Sequence, residues 1–175
     1  MRLSLFALGV SGAFADEAYF AGLASSVRAA SFPELADAHI ELRPFRSPSV
    51  YFQARFTWTS FLFHRRLAYV IGFNEDALRR GAAPEALRAV MAHELSHLSY
   101  YRQRNRLRLL GLVRLVSPRA TARLERETDK DTIRRGYGPG LRLYRQWLYA
   151  NIPPREVPRK QRTYLTPEEI EREMH

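Results

Sequence analysis

Apolar and polar positions along this chain repeat with two different periods. Between residues 16 and 31, Tyr19, Phe20, Leu23 and Val27 recur at helical steps and predict an amphipathic helix. His39-Ile40-Glu41-Leu42-Arg43 alternates as a half-buried strand does, and Pro44 ends it. Residues 50–58 form a second predicted strand, rich in β-formers. Residues 61–66 then turn into a third strand over residues 67–73. From residue 83 the helical period returns. Ala83-Pro84-Glu85 sets Pro at the first helical position with an acidic residue in the first turn, and Leu87, Val90, Met91, Leu95 and Leu98 make an apolar stripe. A further helix is predicted between Pro118, which breaks the chain, and Gly136, which stops it. The pattern predicts an α+β fold: a small antiparallel sheet packed on one long helix and a second helix.

The long helix carries the chemistry. Its centre reads His93-Glu94-Leu95-Ser96-His97. Four residues advance about 6 Å and little more than one turn, so both imidazoles leave one face, one above the other. Such a pair can bind one Zn²⁺, and Glu94 beside it can take a proton from water at the metal.

A catalytic zinc takes three protein ligands. The second helix, Arg123-Leu124-Glu125-Arg126-Glu127-Thr128-Asp129, offers the third. Glu125 and Asp129 are one turn apart on one face, which suits Glu125 as ligand and Asp129 as the group that holds a ligand imidazole by its other N–H. Glu127, pointing about 160° away, is the rival ligand. A solvated charged face is the plainer reading of this helix.

His-Glu-x-x-His followed by Glu-x-x-x-Asp resembles the gluzincin metallopeptidases. It is nearest to the catalytic core of the CAAX-prenyl endopeptidase and heat-shock peptidase branch and to the small single-domain minigluzincins. Those families often have Ala where this chain has Thr128, and residues 67–74 look like their strand before the active-site helix. The resemblance covers roughly residues 67–140 and implies a zincin-like fold and a zinc endopeptidase. It implies His93, His97 and Glu125 as ligands, Glu94 as general base and Asp129 supporting a ligand. The Spartan-type peptidases share the first motif and would suit a basic chain, but they take a third histidine, and none stands between His97 and His175. Nucleic acid is therefore the minor reading. A strand before the active-site helix can lie at the cleft edge, where an extended peptide adds alongside it. Tyr69, Ile71 and Asn74 would then meet substrate; an interior strand is the equal alternative.

Composition narrows the rest. The chain has 175 residues, 46% hydrophobic and 12% aromatic, enough for one folded domain and incompatible with a disordered chain. No cysteine is present, which excludes disulfides and thiolate ligands. Residues 1–15 have the grammar of a secretory signal: one cation, a short apolar run, and Ala13-Phe14-Ala15 before Asp16-Glu17. That reading places the protein in the periplasm or outside the cell; the alternative is a first buried element of a cytoplasmic protein. The zincin-like domain would span residues 16–150.

The net charge of +10 is densest in residues 102–114, a leucine-interleaved arginine run. It suits peripheral contact with an anionic surface, or an ordinary solvated helix end. Residues 151–175 form a Pro-rich extension, read as a stiff linker and then a short helix opened by Thr166, Pro167 and Glu169. The resemblance to small gluzincins, which can be latent with a C-terminal segment in the cleft, implies the same role for residues 155–175. A non-catalytic protein acting through its basic surface is the alternative to an enzyme.

Overall fold

The computed structural model describes residues 7–63, 67–104 and 117–175, with side chains from residue 16 onward. Ala68–Phe73 forms the central strand, β3, of a three-stranded sheet; β1 (His39–Pro44) and β2 (Phe52–Phe56) flank it. Every β3 position from Tyr69 to Phe73 is buried, as an unbroken apolar run requires, while β1 and β2 alternate like edge strands.

The sheet is mixed, which corrects the expectation of an antiparallel one. β2 pairs antiparallel with β3, with Phe52 opposite Phe73, but β1 runs parallel to β3, with His39 opposite Ala68. The connection over residues 45–51 is the reason. It crosses the end of the sheet, held by Phe45 N–H on the Phe73 carbonyl and by Asn74 N–H on the Tyr51 carbonyl, at 2.9 and 2.8 Å. The buried Asn74 side chain donates to the Ser47 carbonyl at 2.9 Å. β3 thus slots between its two predecessors. Asn74 ties down a loop and lines a groove with Phe45 and Arg79 rather than the cavity at His93 and Glu94, and β3, paired on both sides, has no free edge for a peptide.

Helix α1 (Ala7–Ser31) runs continuously through the Ala15–Asp16 junction and buries Phe20, Leu23 and Val27. The predicted second strand stops at Phe56. Thr57 turns the chain, its Oγ1 accepting from Ser60 N–H, and α2 (Trp58–Phe63) follows. After the short α3 (Asp76–Arg79) comes α4 (Pro84–Arg102), in which all residues from Ala89 to Ser99 are buried. α4 is a core helix, enclosed by α1, β2, α5 (Pro118–Thr132) and α6 (Gly138–Asn151). α6 approaches it closely at Gly140, where a Cβ would stand 2.5 Å from the Glu85 carbonyl oxygen. Between α5 and α6 the chain bends through a wide turn at Ile133–Tyr137, with Gly136 at φ +89°.

The C-terminal region differs from the expected stiff linker. Pro154–Glu156 is a 3₁₀ turn, α7 (Val157–Thr163) follows, and α8 (Pro167–Glu173) opens with the reciprocal Thr166–Glu169 capping box. Leu165 and Ile170 pack with Ala89 and Leu141 into a second apolar cluster. Among the described residues no helix is long and apolar enough to cross a membrane. Residues 105–114 of the arginine run lie outside the described residues.

Candidate metal centre

α4 and α5 pack so that three side chains converge. His93 Nε2 and His97 Nε2 lie 3.2 and 3.1 Å from the same oxygen, Glu125 Oε2. The ring centroids are 4.8 Å apart and nearly perpendicular, at 85°. All three donor atoms lie within 4.8 Å of one another, so His93, His97 and Glu125 form a group that could hold a metal ion. Among the described residues it is the one such group of three or more; His39 and His175 stand outside it. Glu127 is exposed and faces a separate cavity between α4 and α5.

The other ring nitrogens are also engaged. His93 Nδ1 sits 2.8 Å from Asp129 Oδ1, an ion-pair contact in which the N–H is not well aligned on the oxygen. His97 Nδ1 lies 3.4 Å from Thr128 Oγ1, whose hydroxyl donates to the Leu124 carbonyl. Asp129, fully buried, accepts from Arg145 Nη2 at 2.7 Å and from Leu165 N–H at 2.9 Å. Turning each ring by its remote nitrogen leaves both Nε2 atoms facing inward, which is the usual way ligand imidazoles are oriented. Two neutral-capable imidazoles and a carboxylate, without thiolates, suit zinc or a similar borderline cation.

The electrostatics follow from burial and charge. Burial alone would depress the His93 imidazolium, but Asp129 and Glu125 overrule it and raise the pKa to about 10. For Glu125, burial pulls upward and the two imidazoles win, holding the carboxyl well below its ordinary range. Glu94 goes the other way: burial dominates over the attraction of His93 and His97, and its pKa is raised. Asp129 is lowered, because Arg145 and His93 outweigh its burial.

Three residues at the centre were missed by sequence reasoning. Arg145 is 2% exposed and stacks its guanidinium on the Tyr164 ring at 4.3 Å. Lys160 and Tyr164, from α7 and the residue after it, line a cavity of about 20 Å³ together with Glu94, His93 and Tyr144. That volume suits about one water. Burial pushes the Lys160 ammonium down to about 8, with Arg159 and Arg145 adding repulsion. Arg145 had a signal, a cation inside the Leu141, Tyr144, Leu148 stripe of α6. Lys160 had none, since one lysine in a charged, Pro-rich stretch is unremarkable. Tyr51, Tyr144 and Tyr164 are the tyrosines that line this cavity. Tyr137 bonds Ser31, and Tyr100 lies under Arg104.

No protein-family model, curated protein or solved structure matches the chain.

Proposed function

We propose that this chain is a zinc-dependent endopeptidase of gluzincin type. The observation that carries the reading is the convergence of His93 Nε2 and His97 Nε2 on Glu125 Oε2, with the buried Glu94 carboxyl next along the same helix. His93, His97 and Glu125 would hold the ion, which when bound supplies a Lewis acid that polarises a peptide carbonyl and acidifies water. Glu94 accepts the proton of the attacking water and returns it to the leaving amine. Its raised pKa brings the carboxyl nearer to neutrality, where a general base serves both transfers. Asp129 and Thr128 keep the two imidazoles turned inward, and Arg145 keeps Asp129 ionised. Because β3 is interior, an extended peptide would add to the free edge of β2, whose Phe52 lines the same cavity as Glu94.

A specific observation favours a latent form of this enzyme. Lys160 and Tyr164 close the cavity, and their segment is fastened by Leu165 N–H to Asp129 and by Arg126, which donates to the Tyr164 carbonyl and pairs with Glu169 at 2.6 Å. Caseinolysis by the full chain tests both readings. Wild type is expected to be slow, and Arg126→Ala, which loosens the segment, faster by about tenfold. Adding Glu94→Gln to Arg126→Ala should abolish the activity. Proteolysis that survives Glu94→Gln would sink the mechanism; a zinc-loaded Arg126→Ala protein with no activity would favour the non-catalytic reading.

A further inference from the structure

The strongest feature outside the metal centre is α2. Three of its four apolar side chains turn away from the core: Phe63 is 81% exposed, Leu62 62% and Trp58 49%. Three large apolar residues on one six-residue helix form a contiguous protrusion, unlike the singly scattered apolar residues of an ordinary surface. The helix is firmly seated on its other side. Phe61 and Ser60 are buried, and Ser60 Oγ accepts from Ala68 N–H at 2.9 Å, which ties α2 to the start of β3. The exposure therefore belongs to a fixed element.

A cation lies beside it. Arg55, on β2, has no ion-pair partner among the described residues and lines a groove of about 340 Å³ with Trp58, Arg43 and Tyr101. The sequence directly after Phe63 reads His64-Arg65-Arg66, and the whole chain carries +10. An apolar tip with an indole at its base and the Arg55 guanidinium beside it matches an anionic bilayer surface in two respects. Phe and Leu enter the acyl boundary while Trp and Arg stay at headgroup depth, and the net charge draws the protein in from a distance.

We infer that α2, with Arg55 beside it, is a membrane-docking wedge for anionic lipid surfaces. The patch lies near the metal centre: Trp58 packs on Phe56, Phe56 on Tyr101, and Tyr101 on the His97 ring, at 5.7, 5.7 and 6.1 Å between centroids. Docking through α2 would bring that side of the site to the lipid surface. The inference rests on the exposure of α2 and the charge of Arg55 beside it, and is independent of whether zinc binds.

The test is co-sedimentation of the full chain with vesicles of phosphatidylcholine and phosphatidylglycerol, and with phosphatidylcholine alone. Wild type is expected to bind the anionic vesicles and to bind the zwitterionic ones at least about tenfold more weakly. Leu62→Ser combined with Phe63→Ser should lose about tenfold or more on the anionic vesicles, and Arg55→Glu should lose several-fold, more at low salt. All these side chains are exposed or half-buried, so unchanged far-ultraviolet dichroism should accompany the losses. In Trp147→Phe, Trp58 is the remaining tryptophan, and its emission should shift to the blue on anionic vesicles. Absence of binding to anionic vesicles, or binding that survives the Leu62 and Phe63 changes, would overturn the inference. So would dimerisation by light scattering that the same changes abolish, since the patch would then be serving a second copy.

Discussion

Asp129 has three partners that matter, His93, Arg145 and the Leu165 amide. Removing Arg145 would leave a buried carboxylate short of its main counter-charge, which costs about 3–5 kcal/mol in comparable pairs. Arg145→Met should therefore lower stability in urea by that order and also weaken zinc binding, by roughly 10–100-fold, because the His93 ring loses its fixed partner. Arg145→Met combined with Asp129→Asn should be less destabilised than the sum of the two single changes, since the pair is removed together. Additive losses would show that the two side chains do not act as a unit. In the sequence, Glu125 and Asp129 could be picked out because one helical turn separates them, whereas Arg145 stands sixteen residues further on, and only packing of α6 on α4 brings it there.

At the level of elements, Glu34 on the 3₁₀ turn after α1 ties three segments. It accepts from Ser99 on α4 at 2.6 Å and pairs with Arg135, just after α5, at 2.8 Å. Partial burial would raise its pKa, but Ser99 and Arg135 outweigh burial and lower it. A lowered folded-state pKa means a contribution present above the unfolded value of 4.5 and lost as pH falls through the folded one. Glu34→Gln should destabilise the protein by about 1 kcal/mol at pH 7, with the difference from wild type closing as pH falls below about 4. A gap that is constant with pH would exclude the ion pair as its source. α1, α4, α5, α8 and the three strands were legible from an apolar period or from Pro and Gly punctuation, whereas α2, α3 and α6 were not. Strand order was not. Residues 45–51 carry no turn signal that distinguishes a hairpin from a crossing, so β3 at the centre and β1 parallel to it follow from tertiary contacts such as Asn74 to Ser47. The helical nature of α7 was hidden in the same way, by prolines that suit a first helical turn as well as a linker.

The whole molecule is built around one helix. α4 is buried along its centre because the sheet, α1, α5 and α6 all pack on it, and the C-terminal α7 and α8 complete the enclosure near the metal centre. His93, Glu94 and His97 are thus buried polar residues that α4 carries into the interior, where Glu125 on α5 meets both imidazoles and Asp129, held by Arg145 on α6, meets His93. Such an arrangement costs stability unless its charges are balanced, and a cation between the three donors would balance it. The most direct measurement is the zinc content of the wild-type chain after chelator stripping and reconstitution, beside Glu125→Ala. The account predicts one zinc per chain, weakened by about a hundredfold or more in Glu125→Ala, with melting temperature rising on zinc addition in the wild type alone. No zinc retained by the wild type, or equal retention by both proteins, would contradict it.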